Sequence, residues 1–326
     1  EIGAALLRDP RITALGLHIE GIGDIAAFEA LAAEAKAQGK GIAAIKVGRS
    51  SQAQTATLSH TASLAGSDAG AEAVLRRLGI ARLESLTELL ETLKLLHFTG
   101  PLSSNKVASM SCSGGEASLM ADTGMTRDIV FSELNTAQKA GLRAALGPMV
   151  ALANPLDYHT YIWGDGPGMG AVFSAMMQGD IAIGCIIVDF PRADRCSQAA
   201  WDCVFEAAII ATRSSGKPLA LVASVPENIP EDIAHKMLEH GILPLCGLPE
   251  ALCAIEAAAF IGSKIDVQSP PILQGKQPIT SALLSEHRAK SDLAAFGLKV
   301  PNGQQVRSPD NIPIAADKVG FPVVLK

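Results

Sequence analysis

The sequence predicts an α/β protein of doubly wound parallel sheets. Two observations carry this prediction. Short apolar runs rich in Ile, Val, Leu and Ala, such as 41–48 (GIAAIKVG), 106–112 (KVASMSC) and 218–224 (PLALVAS), read as buried strands. Helix-period segments alternate with them, and each strand–helix–strand passage is long enough for the crossover that parallel neighbours require.

The first cycle opens with strand 12–20, helix 26–39 and strand 41–48. A loop rich in Ser, Thr and Ala follows, then helix 69–78, strand 79–83 and helix 85–98. Ser85 with Glu88 three residues on forms a capping box. Pro101–Asn105 breaks the pattern and a second cycle begins. Its strands are predicted at 106–112, 128–131, 150–153, 180–190, 218–224 and 242–245. Its helices are predicted at 115–123, 135–145, 168–178, 197–213, 229–239 and 248–261. This is a complete unit, flavodoxin-like in pattern. Residues 264–280, rich in Pro, Gln and Ser, read as a linker, and helix 281–297 opens a further unit that ends in an apolar strand, FPVVLK. The expected organisation is two tandem α/β domains, 1–100 and 101–263, a linker 264–280, and the start of a third domain at 281–326. A chain starting at Glu1 without Met and stopping inside a strand predicts a piece of a longer protein.

Composition narrows the function. The chain of 326 residues is 48% hydrophobic and 18% charged, which is globular. A net charge of −6 without a Lys/Arg run argues against nucleic-acid binding. The six cysteines form no CxxC pair and no Cys/His cluster, so no metal site is predicted. Reduced thiols without a signal-peptide pattern predict a cytoplasmic protein, and no apolar run is long enough for a bilayer.

Four places carry residues suited to chemistry. His60 lies among small hydroxyl residues, Ser59 and Thr61, ahead of the helix that starts near Ser67-Asp68. An imidazole titrates near neutrality, so it can attack a phosphoryl group and later act as a leaving group, and helix N–H groups stabilise the resulting anion. The plain alternative is a satisfied surface histidine. Glu20 ends a strand and precedes Gly21 and Gly23, at the sheet edge where open α/β folds bind ligands; a solvated carboxylate is its alternative. Asp24 is a weaker candidate for the same place and reads more readily as an N-cap. The turn Ser113-Gly114-Gly115 joins a strand to a helix N-terminus, which favours an anion, although such turns are common. Beside it, Cys112 reads as a packed thiol. Asn154-Pro155-Leu156-Asp157 reads as a turn leaving a strand, followed by an aromatic stretch, 158–163, that could shape an acyl pocket for a bulkier or aromatic acid or equally pack a loop against a neighbouring domain.

Lys46-Val47-Gly48-Arg49-Ser50, followed by Ser59 through Asp68 (SHTASLAGSD), resembles the phosphohistidine loop of the NDP-forming acyl-CoA synthetases. That family includes ADP-forming acetate–CoA ligase and succinyl-CoA synthetase, and reads K-x-G-R-S and S-H-T-G-x-L-A-G-x-D. Ala62 stands where the family has Gly. The resemblance implies two succinyl-CoA synthetase-like, flavodoxin-like domains, the first lacking its opening strand and the upstream CoA-binding domain. It implies an ATP-grasp domain begun at 281–326, with Lys326 on the nucleotide phosphates. By the same resemblance His60 takes a phosphoryl group from an acyl phosphate and passes it to ADP, or the reverse, with Glu20 orienting its ring. Ser59, Thr61, Ser113, Gly114 and Gly115 would bind phosphate, and Asn154 and Asp157 would line the substrate crevice. The family's loop reads T-N-x-G-G-x-G; Cys112 and Glu116 depart from it. The implied reaction is acid + CoA + ATP ⇌ acyl-CoA + ADP + phosphate. The partners are a small carboxylic acid, CoA and nucleotide with Mg2+, and the enzyme is expected to be a homo-oligomer. Two other readings stay open: a lyase using CoA ligation on the same scaffold, and a non-catalytic sensor region of a protein acetyltransferase.

Overall fold

The structure, a computed structural model, describes residues 1–53, 67–268, 270–272 and 283–325. It divides into two compact units, Glu1–Ile272 and Leu273–Lys326.

The first unit holds two parallel sheets. One contains β1 (Ala14–Ile19), β2 (Gly41–Lys46) and β3 (Ala81–Leu83), in that order. The other contains β4 (Val107–Ser111), β5 (Leu156–Asp157), β6 (Ile183–Ile187), β7 (Leu219–Ala223) and β8 (Leu243–Cys246). Its order is β5-β4-β6-β7-β8, the 2-1-3-4-5 arrangement of a flavodoxin-like sheet, as the pattern predicted.

Around the first sheet lie α1 (Ile2–Arg8), α2 (Ile25–Ala37), α3 (Asp68–Leu78) and α4 (Leu86–Thr99). Asp24 caps α2 by accepting from the Ala27 N–H at 3.0 Å, and the Ser85–Glu88 capping box opens α4. Helix α1 was not predicted. The second sheet carries α5 (Gly114–Gly124), α6 (Thr136–Leu146), α7 (Gly166–Met176), α8 (Asp202–Ser215), α9 (Glu231–Glu239) and α10 (Leu248–Ile265).

Helices α4 and α10 pack on each other and form one layer between the sheets. Ala43 and Ile45 of β2, Leu95 and Leu96 of α4, Ala254 and Ala258 of α10, and Val222 and Leu245 of the second sheet belong to a single buried cluster. At Gly262 of α10 a Cβ would stand 1.9 Å from the Leu102 carbonyl oxygen, so only glycine fits.

Two predicted strands are absent. Residues 128–131 make one isolated bridge, Lys106 with Val130, and 150–153 are not extended in a ladder. The β5 side of β4 is instead satisfied by three separate pieces in succession. Val130 serves Asn105 and Val107 through its backbone. The Asn154 carboxamide then donates to the Val107 carbonyl (2.8 Å) and accepts from the Ser109 N–H (3.0 Å). That is the pattern a peptide group makes in a parallel ladder, here supplied by a side chain. Finally Leu156 and Asp157 pair with Met110 and Ser111.

In the second unit α11 (Glu286–Ala295) begins at the Ser285 cap and α12 (Ile312–Val319) ends at Gly320. Residues 321–325, predicted as part of a strand, are not one; an apolar run becomes a strand only with a ladder partner.

Candidate active site

The carboxyl end of the first sheet assembles most of the recognised loop's flanks. Glu20 directly follows β1 and is half-buried beside a cavity of about 820 Å3 that Leu17, Ile22, Asp24 and Phe28 also line. Val47 follows β2 and donates its N–H to the Ile19 carbonyl at 3.0 Å, so Glu20 and the 47–53 segment leave the sheet side by side. Lys46 is 4% exposed and donates to the Val47 carbonyl. Burial lowers its pKa, while Asp68 opposes the shift.

Arg82 on β3 is the buried hub. It donates to Asp68 at 2.6 Å and Glu72 at 3.3 Å, with a side chain only 9% exposed. Its hydrogen bond, then its charge, hold the Asp68 carboxyl below the usual range. Asp68 also faces Arg49 at 3.7 Å, and Arg49 pairs with Glu84. Arg49 precedes the 54–66 segment and Asp68 follows it, so the two feet of that segment are ion-paired. Ser67 adds an N-cap on α3 through the Gly70 N–H. Ser59, His60 and Thr61 lie between these feet, outside the described residues. Sequence reasoning missed Arg82; an arginine inside the apolar run IARL, with carboxylates on the preceding helix, was the available signal.

The second site forms where β5 and β6 flank β4, the switch point at which doubly wound sheets bind ligands. Ser113 precedes α5 without capping it through its side chain, and Gly114 and Gly115 are exposed, leaving the first N–H groups of α5 free of a side-chain cap. A Cβ at Gly114 would lie 3.1 Å from Asp157 Oδ2, so the glycine turn and Asp157 share one crevice. Asp157 accepts from the His159 N–H (2.9 Å), and His159 holds a left-handed φ of 64°. Asp189, after β6, accepts from the Ser224 N–H (2.9 Å) and hydroxyl (2.6 Å).

Glu116, in the first turn of α5, is raised to about 7, first by burial and then by Asp189 and Asp157. One of its oxygens is buried without a partner. Burial and Glu116 likewise push the Cys112 thiol up, so it is a thiol rather than a reactive thiolate.

Asn154 does not open into this crevice. Its amide is spent on Val107, Ser109 and the Ser132 carbonyl. Nor do the aromatic residues form an open pocket. Tyr158 is 0% exposed and packs edge-on against Phe173 at 5.2 Å. Trp163 packs on Trp201 at 6.0 Å and donates to the Ala200 carbonyl, and Tyr161 donates to the Leu146 carbonyl. Tyr158 and Trp163 are thus packed within their own unit, while Tyr161 remains 60% exposed. Lys326 lies outside the described residues. No helix among the described residues is long and apolar enough to cross a membrane.

Residues 1–96 match a family described as the succinyl-CoA ligase-like flavodoxin domain. A trans-feruloyl-CoA synthase from an unknown prokaryotic organism is 25% identical over 98% of this chain and 46% of its own length. Subunit alpha of ADP-forming acetate–CoA ligase II from Pyrococcus furiosus is 36% identical over 44% of the chain and 31% of its own length. The chain thus spans about half or less of these relatives. The fold of acetyl-coenzyme A synthetase 1 from Candidatus Korarchaeum cryptofilum, solved with phosphate and ADP, superposes with a TM-score of 0.66 at 19% identity, covering 81% of this chain and 57% of that one. A Pyrococcus horikoshii protein superposes with a TM-score of 0.65 at 21% identity, covering 82% of this chain and 56% of that one. Residues 1–96 thus match a succinyl-CoA ligase-like flavodoxin domain, and the chain as a whole is similar to CoA ligases, ADP-forming acetate–CoA ligase among them.

Proposed function

We propose that this chain is the central part of an ADP-forming acyl-CoA synthetase working through an acyl phosphate and a phosphohistidine. The observation that carries the reading is the ion-paired bracket of Arg49, Asp68 and Arg82, which fixes both feet of the segment bearing His60. In the direction of acyl-CoA cleavage, phosphate displaces the CoA thiolate and forms an acyl phosphate. An imidazole nitrogen of His60 attacks its phosphorus, the P–O bond to the acyl oxygen breaks, and the carboxylate leaves. ADP then takes the phosphoryl group. Synthesis of acyl-CoA is the reverse.

Glu20 is the proposed partner of the His60 ring, accepting its second N–H and fixing the tautomer. Ser59 and Thr61 beside His60, and the Ser113-Gly114-Gly115 turn, are proposed to receive the phosphoryl oxygens, the last with the free N–H groups of α5. Asp157 borders the acid's crevice, and Asn154 acts on it only by holding β4 and β5 in register. The nucleotide, with Mg2+, is assigned to an ATP-grasp domain beginning near 281, with Lys326 on its phosphates. Domain limits near 100, 263 and 280, a homo-oligomeric state and a cytoplasmic setting complete the proposal.

The test uses the longer protein that carries the nucleotide-binding half. After incubation with γ-labelled ATP and Mg2+, label is expected in an acid-labile, base-stable form and absent in His60→Asn. CoA with the correct acid should discharge it, and product profiles then separate a ligase from a lyase. No label in folded, nucleotide-bound wild type would refute catalysis and put the sensor reading first.

A further inference from the structure

The chain that follows α10 turns back over α2 and α3 before the first unit ends. Residues 266–268 and 270–272 are tied there by three side chains. Lys36 Nζ donates to the Val267 carbonyl (3.2 Å), Arg77 donates to the Pro270 carbonyl (2.6 Å), and Glu29 accepts from the Ile272 N–H (2.8 Å). The Ile272 side chain packs on the core cluster of the first sheet. A cavity of about 710 Å3 lies here, walled by Ala33 and Ala37 of α2, Leu78 of α3, Ile265 and Val267. Lys36 is half-buried in its wall.

A half-buried ammonium ordinarily gains a carboxylate partner. Among the described residues Lys36 has a neutral carbonyl instead. A second cation crowds it. A Cβ at Gly79, the left-handed C-cap of α3, would lie 2.7 Å from Lys264 Cβ and 3.3 Å from Lys36 Cε, so both lysine stems cross the same glycine. The other charged groups around the cavity do not offset this. Glu29 on α2 is engaged by the Ile272 backbone, and Asp266 after α10 lines the cavity without an ion pair to Lys36. Arg77 on α3 is held by the Pro270 carbonyl, and Lys40 by the Leu7 and Asp9 carbonyls. Burial first, and then the charge of Lys264, lower the Lys36 pKa, so more of it is free amine near neutrality than of an exposed lysine.

We infer that Lys36 is an acyl-acceptor lysine: its amine, crowded by Lys264 in the wall of the cavity beside residues 266–272, takes the acyl group of an acyl phosphate. The donor is the intermediate of the proposed reaction, and to that extent the inference rests on that reading. The amine nitrogen attacks the carbonyl carbon. A C–N bond forms, the C–O bond to phosphate breaks, phosphate leaves with the electron pair, and the surplus proton on nitrogen passes to water. The alanine-rich wall receives the acyl chain. The amide carries no charge, so one of the three ties on residues 266–272 loses its cation.

Acetyl phosphate is the probe. The full chain is incubated with it at pH 7 and at pH 10, and occupancy at each lysine is read by peptide mass spectrometry after complete acetylation of the remainder with an isotope-labelled anhydride. At pH 7 Lys36 is expected to react about threefold or more faster than the exposed Lys139, Lys299 and Lys318, an advantage that narrows at pH 10 as those amines lose their protons too. Lys264→Gln removes the neighbouring cation and should slow Lys36 at pH 7 while leaving the exposed lysines unchanged. Lys264 pairs with no carboxylate among the described residues, so the variant keeps its fold, which near-ultraviolet circular dichroism checks. A Lys36 that reacts no faster than the exposed lysines at pH 7 overturns the inference. So does an advantage that persists undiminished at pH 10 or in Lys264→Gln. The acyl phosphate is supplied and His60 takes no part, so the labelling experiment succeeds or fails separately.

Discussion

Replacing Asn154 by leucine tests whether this residue builds the sheet or contacts the substrate. Leucine keeps most of the volume and removes the carboxamide. Three hydrogen bonds go, to Val107, Ser109 and Ser132, at 2.8, 3.0 and 3.2 Å. At about 1 kcal/mol net for each, this is roughly 3 kcal/mol. Val107 and Ser109 are 0% exposed, so water cannot replace the lost partners. An unpaired buried N–H at Ser109 adds about 1–2 kcal/mol. The expected loss is about 4–5 kcal/mol, a large share of the 5–15 kcal/mol typical of a folded protein. In thermal unfolding it should lower Tm by roughly 8–15 °C. The assay is urea unfolding of the chain followed by far-ultraviolet circular dichroism. Asn154→Asp sharpens it. Its carboxylate still accepts from Ser109 but faces the Val107 and Ser132 carbonyls, whereas a protonated carboxyl donates its one O–H to one of them. The folded state therefore raises the pKa of this Asp, and the variant is most stable at low pH and loses stability as pH rises. A stability loss under 1 kcal/mol in Asn154→Leu, with KM for the acid raised in the intact enzyme, would refute the ladder argument and return Asn154 to the substrate crevice.

Gly262→Ala drives a methyl group into the Leu102 carbonyl, 1.9 Å away and fixed in the backbone, and should cost about 2–3 kcal/mol in urea unfolding. Arg82→Met leaves Asp68 with Arg49 alone; with Asp68 35% exposed, the usual cost of breaking a buried pair falls to about 2–3 kcal/mol. Because the folded state lowers the Asp68 pKa, that deficit should be full at neutral pH and shrink as acid protonates Asp68, as a pH series of unfolding curves reads. Glu116 has the opposite sign. Its carboxyl, raised from 4.5 to about 7, stabilises below pH 4.5 relative to higher pH, and the advantage is lost as pH climbs through 7. Screening discounts the roughly 3 kcal/mol this shift implies to about 1–2 kcal/mol, which Glu116→Gln should abolish.

The alternation of strands and helices was legible because β2, β4, β6 and β7 are buried at every position, which writes unbroken apolar runs into the sequence. Helix starts were legible where a side chain caps them, at Asp24 and Ser85. The edge of β4 was not. Residues 128–131 and 150–153 have strand composition, but pairing is decided by what reaches β4, and a side chain at 154 reached it in place of a backbone. The loop motif announced Lys46, Arg49 and Asp68, yet Arg82, which joins their charges, looked like an ordinary strand residue. The aromatic run 158–163 gave no sign of direction, because composition does not say that Tyr158 turns onto Phe173. Glu116 was visible as a misfit beside two glycines. Its raised pKa was not, since that comes first from burial and then from Asp189, more than seventy residues away.

The α4–α10 layer belongs to both sheets at once. A protein divided at residue 100 by a pliant linker could swing one sheet against the other. This one shares an interior, so bending it there would mean unpacking Leu95, Leu96, Ala254 and Ala258 from their common neighbours. The strand ends that carry Glu20 and Ser113 are consequently set at one fixed spacing. Any rearrangement at these strand ends is left to something shorter than a domain, with the chassis on either side held still by the shared interior.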